Sequence, residues 1–115
     1  MGALIYDGNE VDFDDRLLAH LHVVIMQKLR RGESFCMSWR DRNDTGGRNS
    51  LWLHPSIPLY FRFFGSKQPV INREWIQILV LASNSPQGLV VTPEPEPSHI
   101  PQSAMESSST MSARA

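Results

Sequence analysis

The stretch Leu51 to Gly65, LWLHPSIPLYFRFFG, constrains the fold most, because it is the densest run of strand-favouring and aromatic residues in the chain. Pro55 and Pro58 sit inside it, and each fixes φ and removes a backbone donor from any ladder. The run therefore reads as two strands, roughly Ser50 to His54 and Leu59 to Phe64, joined by the tight Pro55-Ser56-Ile57-Pro58 link. Alternation puts Leu51, Leu53, Leu59, Phe61 and Phe63 on the core face. Trp52, His54, Tyr60, Arg62 and Phe64 then fall on the opposite face, beside Arg40 and Ser38 of the preceding strand. A solvated sheet face ordinarily carries Thr, Lys and Glu, so aromatics interleaved with arginines mark either a covered face or a binding platform.

The flanking segments supply the rest of the fold. Ala3 to Tyr6 and Glu10 to Phe13 are β-type segments around Asp7-Gly8-Asn9, residues that tolerate the positive φ of a tight hairpin. Asp14 or Asp15 can cap a helix in which Leu17, Leu18, Leu21, Val24, Ile25 and Leu29 form one apolar stripe at about 100° per residue. Arg16, Ala19, Val23, Gln27 and Arg30 lie opposite. Lys28, Arg30 and Arg31, followed by Gly32, suit the negative end of the helix dipole better than a phosphate site. Ser34 to Arg40 alternates as a half-buried strand with Phe35, Met37 and Trp39 on one side. The polar segment 41–49, DRNDTGGRN, is expected to be a mobile hairpin loop. Its Asn43-Asp44-Thr45 fits the glycosylation pattern, which without a secretion signal reads as chance.

Past the break at Gly65 to Pro69, Asn72 can cap a second helix whose Trp75, Ile76, Leu79, Val80, Ala82 and Ser83 make a buried face. Ile78 and Leu81 leave that helix apolar nearly all round, which implies a sandwiched helix or a dimer contact. Leu89 to Thr92 is a last short strand. The fold class is thus α+β, a small single domain of order ββαβββαβ, with an antiparallel sheet and two helices packed on one face.

Composition bounds what such a domain can do. Of 115 residues, 41% are hydrophobic and the net charge is -1, so the chain has no bulk attraction to nucleic acid or acidic membranes. The domain is expected over 1–94, and the Pro/Ser-rich tail at 95–115 carries too little apolar surface to offset its ordering entropy. A single cysteine, Cys36, excludes an internal disulfide. The absence of a basic leader and of a long apolar run points to a cytoplasmic protein with no membrane segment. Met1-Gly2 opens as a myristoylation signal does, but Tyr6 stands where Ser or Thr is required.

The chemistry-bearing residues give no catalytic constellation. There is no P-loop and no GxGxxG, and Gly46-Gly47-Arg48 lacks the phosphate-binding lysine and spacing. His20 and His22 lie about 200° apart around a helix and cannot share a metal. His54 beside Pro55 is the better candidate, although a histidine bonding its own turn is the simpler reading. Cys36 reads as a small packed residue. Turn, strand edge and helix cap account for Asp7, Glu10, Asp12, Asp14 and Asp15 without a cation. No nucleophile is paired with a base, so no catalytic residue, metal or cofactor is assigned.

Several motifs together resemble a known family: DRLLAHLHVVIMQKLRRGESF at Asp15 to Phe35, Trp52-Leu53-His54-Pro55-Ser56-Ile57-Pro58-Leu59, Asn72-Arg73-Glu74-Trp75-Ile76, and Ala82-Ser83-Asn84-Ser85 with Gly88-Leu89. The chain resembles a small actinobacterial family catalogued as a domain of unknown function, over about Met1 to Pro95. Many of its members carry the label ATP-dependent DNA ligase. A ligase needs a Lys-x-Asp-Gly nucleophile, metal-binding carboxylates and two closing domains. Lys28 and Lys67 are the only lysines and neither sits in that motif, so the resemblance implies a fold and a lineage rather than that activity.

Two functional expectations follow. One is a noncatalytic protein-interaction or homodimerising module. The other is a single-stranded nucleic-acid-binding or ligase-associated accessory module, with Arg40, Trp52, His54, Tyr60, Arg62 and Phe64 as the candidate face. There, stacking contributes about 1–3 kcal/mol per base.

Overall fold

Asp7 and Gly8 both take positive φ, 51° and 82°, and make a two-residue turn between β1 (Gly2–Tyr6) and β2 (Asn9–Phe13). Asp14 caps α1 (Asp15–Arg30) by accepting from the Arg16 amide at 3.2 Å. The computed structural model describes residues 1–41 and 46–96. Residues 42–45 of the loop expected at 41–49, with the Asn43-Asp44-Thr45 pattern, and residues 97–115 of the tail expected at 95–115 lie outside the described residues, while Arg48 and Asn49, expected in that loop, are strand residues. After α1 come β3 (Phe35–Arg40), β4 (Arg48–Leu53), β5 (Leu59–Arg62), α2 (Arg73–Ser83) and β6 (Leu89–Val90). The domain is α+β in the order ββαβββαβ.

The sheet differs from the expectation. Instead of one antiparallel sheet there are two three-stranded sheets, β2-β1-β5 and β4-β3-β6, and β6 runs parallel to β3. Nor do both helices share one face: α1 contacts β1, α2 contacts β3 and β6, and the helices pack on each other. The cause lies in the Pro55–Pro58 link. Pro55 and Pro58 have no amide hydrogen to give a β4–β5 ladder where it would start, which disfavours a hairpin there. The link carries the chain across to β1 instead, where Tyr60 pairs with Ile5 and Arg62 with Ala3. The strand also stops at Arg62. Phe64 and Gly65 donate their amides to the Asp15 carboxylate, at 3.1 and 2.8 Å, rather than to a ladder. Phe63, expected in the core, therefore lies past the strand and is 36% exposed.

A single core joins the layers. Leu4, Tyr6 and Phe13 come from the first sheet, Phe35, Met37, Leu53 and Leu89 from the second, and Leu18, Leu21, Val24, Ile25, Trp75 and Leu79 from the helices. Full burial of one such side chain stabilises by about 1.5–3 kcal/mol. Ala19, expected on the outer side of α1, is buried too, and lines a small cleft with Gly65 and Pro69. Lys28 is buried at the far end of α1, where its Nζ donates to Glu33 Oε1 at 3.0 Å and to Asn84 Oδ1 at 2.6 Å. It ties the two helix ends together.

Gly88 precedes β6 with φ 80°, and a Cβ there would collide with the Cys36 carbonyl oxygen. Gly8 has the same hand of backbone, φ 82°, with nothing near its missing Cβ. Alanine at Gly8 should therefore lose about 1–2 kcal/mol of stability through backbone strain alone. Alanine at Gly88 should lose clearly more, read as the shift of the urea midpoint. Equal shifts would show that β6 accommodates the collision.

Candidate functional site

The six residues expected to share a binding face are divided by the fold. Arg40 and Trp52 stand on the outer face of the second sheet, where Trp52 pairs with Cys36, Ser50 with Ser38 and Arg48 with Arg40. Tyr60 and Arg62 belong to the first sheet, and Arg62 pairs with Glu10 at 3.3 Å. His54 and Phe64 lie just beyond strand ends. His54 organises its turn: Nδ1 accepts from the Ser56 amide at 3.0 Å, the carbonyl accepts from Ile57 N at 3.1 Å, and the His54 amide donates to the Tyr6 hydroxyl at 2.9 Å. Phe64 is 83% exposed with no ring partner among the described residues.

What the fold does create is a groove of about 1540 Å³ bordered by both sheets. Three stretches wall it: Glu10–Asp14 of β2 and the helix cap, the β3 and β4 residues around Trp39 and Asn49, and the extended segment Val90–Glu94. Phe13, Leu17, Trp39, Trp75 and Val91 give it an apolar lining. Phe13 and Trp39 meet edge to face with centroids 5.4 Å apart.

The Val90–Glu94 wall is held by a polar network whose members lie far apart along the chain. Arg16 grips the Glu94 carboxylate with both arms of its fork, Nε to Oε1 at 2.8 Å and Nη2 to Oε2 at 2.7 Å, while Nη1 donates to the Val70 carbonyl at 2.9 Å. Asn72 caps α2 through Oδ1 and donates Nδ2 to Glu94 Oε2 at 2.9 Å. His20 is fully buried beneath. Its Nδ1 lies 2.7 Å from the Arg16 carbonyl, which can only accept, and its Nε2 lies 2.8 Å from the Asn72 amide, which can only donate. The ring is therefore neutral with its proton on Nδ1. It packs against Trp75 at 4.5 Å, and Trp75 Nε1 reaches the Thr92 carbonyl at 3.1 Å.

The groove-facing side of β2 follows from its register. A two-residue turn makes Tyr6 and Asn9 a hydrogen-bonded pair, so Leu4 with Val11 and Gly2 with Phe13 are bonded pairs as well. The main-chain groups of Glu10 and Asp12 consequently point away from β1. Because β2 is an edge strand, they have no ladder partner among the described residues. Among the described residues no group of three or more His, Cys, Asp or Glu is placed to hold a metal ion. No described helix is long and apolar enough to cross a membrane.

The class is thus a small α+β domain with two open-edged sheets and a groove between them. The chain belongs to the family described as a domain of unknown function, DUF7882, whose model matches residues 1–94. No curated protein and no solved structure matches the chain.

The network also sets a pH dependence. The Arg16 hydrogen bonds first, then that of Asn72, hold the Glu94 carboxyl down from its ordinary 4.5 to about 2. A depressed carboxyl stabilises the fold fully above its unfolded value and loses that contribution as pH falls through the folded one. Stability of the natural chain should therefore fall from about pH 4.5 toward pH 2. Part of that fall belongs to Asp15, also held low by the Gly65 and Phe64 amides. Glu94→Gln should be less stable at neutral pH and decline less over this window. Parallel urea-midpoint curves for the two proteins would sink the assignment.

Proposed function

We propose that the domain is a noncatalytic protein-interaction module that docks an extended segment of another protein in the groove between its sheets. The observation that carries this reading is the open edge of β2, where the outward main-chain groups of Glu10 and Asp12, without a ladder partner among the described residues, border the groove. A strand edge in that state is a template for one more strand, with main-chain bonds supplying affinity and alternating side-chain pockets supplying specificity. At about 1540 Å³ the groove exceeds the roughly 300–1,000 Å³ of small-molecule pockets, which favours a polypeptide guest. Homodimerisation, the other form of this reading, would draw on α2, where Leu81 is 73% exposed and Ile78 stands beside it.

A second reading has its own observation. Arg40 and Arg48 face each other directly across β3 and β4, like charges in one cross-strand pair, with Trp52 60% exposed on the same face. Single-stranded nucleic acid would place phosphates on the arginines and a base on Trp52. Tyr60 and Arg62, on the other sheet, cannot extend that platform, which leaves one exposed ring where the reading wants a row.

Panning a displayed library of random peptides against the full chain separates these readings. Enriched peptides should slow amide exchange at Glu10 and Asp12. Asp12→Pro, which removes an outward donor that the β1 ladder does not use, should abolish their binding, while Asp12→Ala retains it. The nucleic-acid reading replaces this one if no peptide protects those amides and a labelled single-stranded oligonucleotide instead binds at low salt, releases at high salt, and is lost with Arg40→Ala. Light scattering on the same protein tests the dimer, which Leu81→Glu should dissociate.

A further inference from the structure

The side chains of β2 say what kind of strand would pair with it. Glu10 and Asp12 project from one face and Val11 and Phe13 from the other, with Phe13 buried and Val11 half-buried. Glu10 receives only a loose contact from Arg62, 3.3 Å between groups that are each more than half exposed. Asp12 makes no ion pair among the described residues. An added strand would form its main-chain bonds to Glu10 and Asp12, so its side chains at those positions would stand directly across from two carboxylates. Its intervening side chains would lie on the face of Val11 and Phe13, next to Trp39.

Resting on the groove reading above, we propose that the partner is an extended peptide in which lysine or arginine alternates with β-branched or aromatic residues. Opposite charges directly across a strand pair attract and like charges repel, so the β2 edge selects by sign. The same rule disfavours a second copy of this chain as the guest. A two-fold pairing of β2 with itself would bring the Glu10 and Asp12 carboxylates of one protomer against those of the other. Charged edge strands commonly guard against such self-association, and here that guard doubles as a selection for the opposite charge. A nucleic-acid strand would meet the same carboxylates with its phosphates. Arg40 and Arg48, on the outer face of the second sheet, also border the groove at its β3 and β4 rim, so the preference for cations is local to the β2 side.

The test uses the full chain and two synthetic peptides of one length, one alternating arginine with isoleucine and one alternating glutamate with isoleucine. The arginine peptide should bind about tenfold or more tighter and protect the Glu10 and Asp12 amides from exchange, with the advantage shrinking as salt rises. The double variant Glu10→Lys, Asp12→Lys, its fold checked by unchanged exchange at buried α1 amides, should reverse the order of the two peptides. Equal binding of both peptides, or a glutamate preference in the natural chain, with those amides still protected, overturns the charge assignment and leaves the groove reading standing. If neither these peptides nor any library peptide protects Glu10 and Asp12, both fall together.

Discussion

The grip of Arg16 on Glu94 is the interaction on which the shape of this domain depends. As an ion pair it contributes modestly to stability, because its side chains are 39% and 32% exposed and water screens such pairs. Its consequence is geometric. One guanidinium holds the carbonyl of Val70 and both oxygens of Glu94, and Asn72 closes the same carboxylate while capping α2. Two chain segments far from α1 in sequence, Val70 to Asn72 and Glu94, are thereby fixed at its first turn. Asp15, the residue before, does the same for Phe64 and Gly65. Two adjacent side chains at one helix start thus define where β5 ends, where α2 begins and where the segment around Glu94 lies.

That arrangement is what opens a groove. With Glu94 held, Val91 to Pro93 run past Trp75 as a wall instead of pairing with β2, and among the described residues the β2 edge of the first sheet has no strand beside it. The Pro55–Pro58 link leads from one sheet to the other, and the two are joined through shared core residues and the Tyr6 hydroxyl to His54 amide bond.

Much of the fold was legible in the sequence, and the parts that were not share one cause. Element order, the Asp14 and Asn72 caps, the positive-φ turn at Asp7-Gly8 and the buried stripe of α1 are local, set by residues within a few positions of each other. Which strands become neighbours is decided by contacts across the whole chain, so Leu51 and Phe61 looked like partners on one face and belong to different sheets. The same holds for the site. Glu94 sits in a Pro-Glu-Pro run that composition alone assigns to the border of a solvated tail, and its partner lies 78 residues away. His20 drew notice in the sequence only as a histidine unable to share a metal with His22, and its burial is explained by the Arg16 carbonyl and the Asn72 amide that it meets. Lys28 looked like one more cation at a helix end until Asn84 and Glu33 met it.

The residues that most often carry chemistry are occupied here by structure. His20 has both nitrogens bonded, His54 braces its own turn, Lys28 joins two helix ends, and Cys36 sits in a strand with Ser38 Oγ 3.9 Å from its sulfur. What the fold leaves free among the described residues is main chain, at Glu10 and Asp12, together with the aromatic lining next to it. Main-chain recognition leaves no motif, since every residue but proline offers the same donor and acceptor. Its trace is the register of a hairpin, which the two-residue turn at Asp7-Gly8 fixes and which decides that the groups turned outward belong to the two acidic residues rather than to Val11 and Phe13.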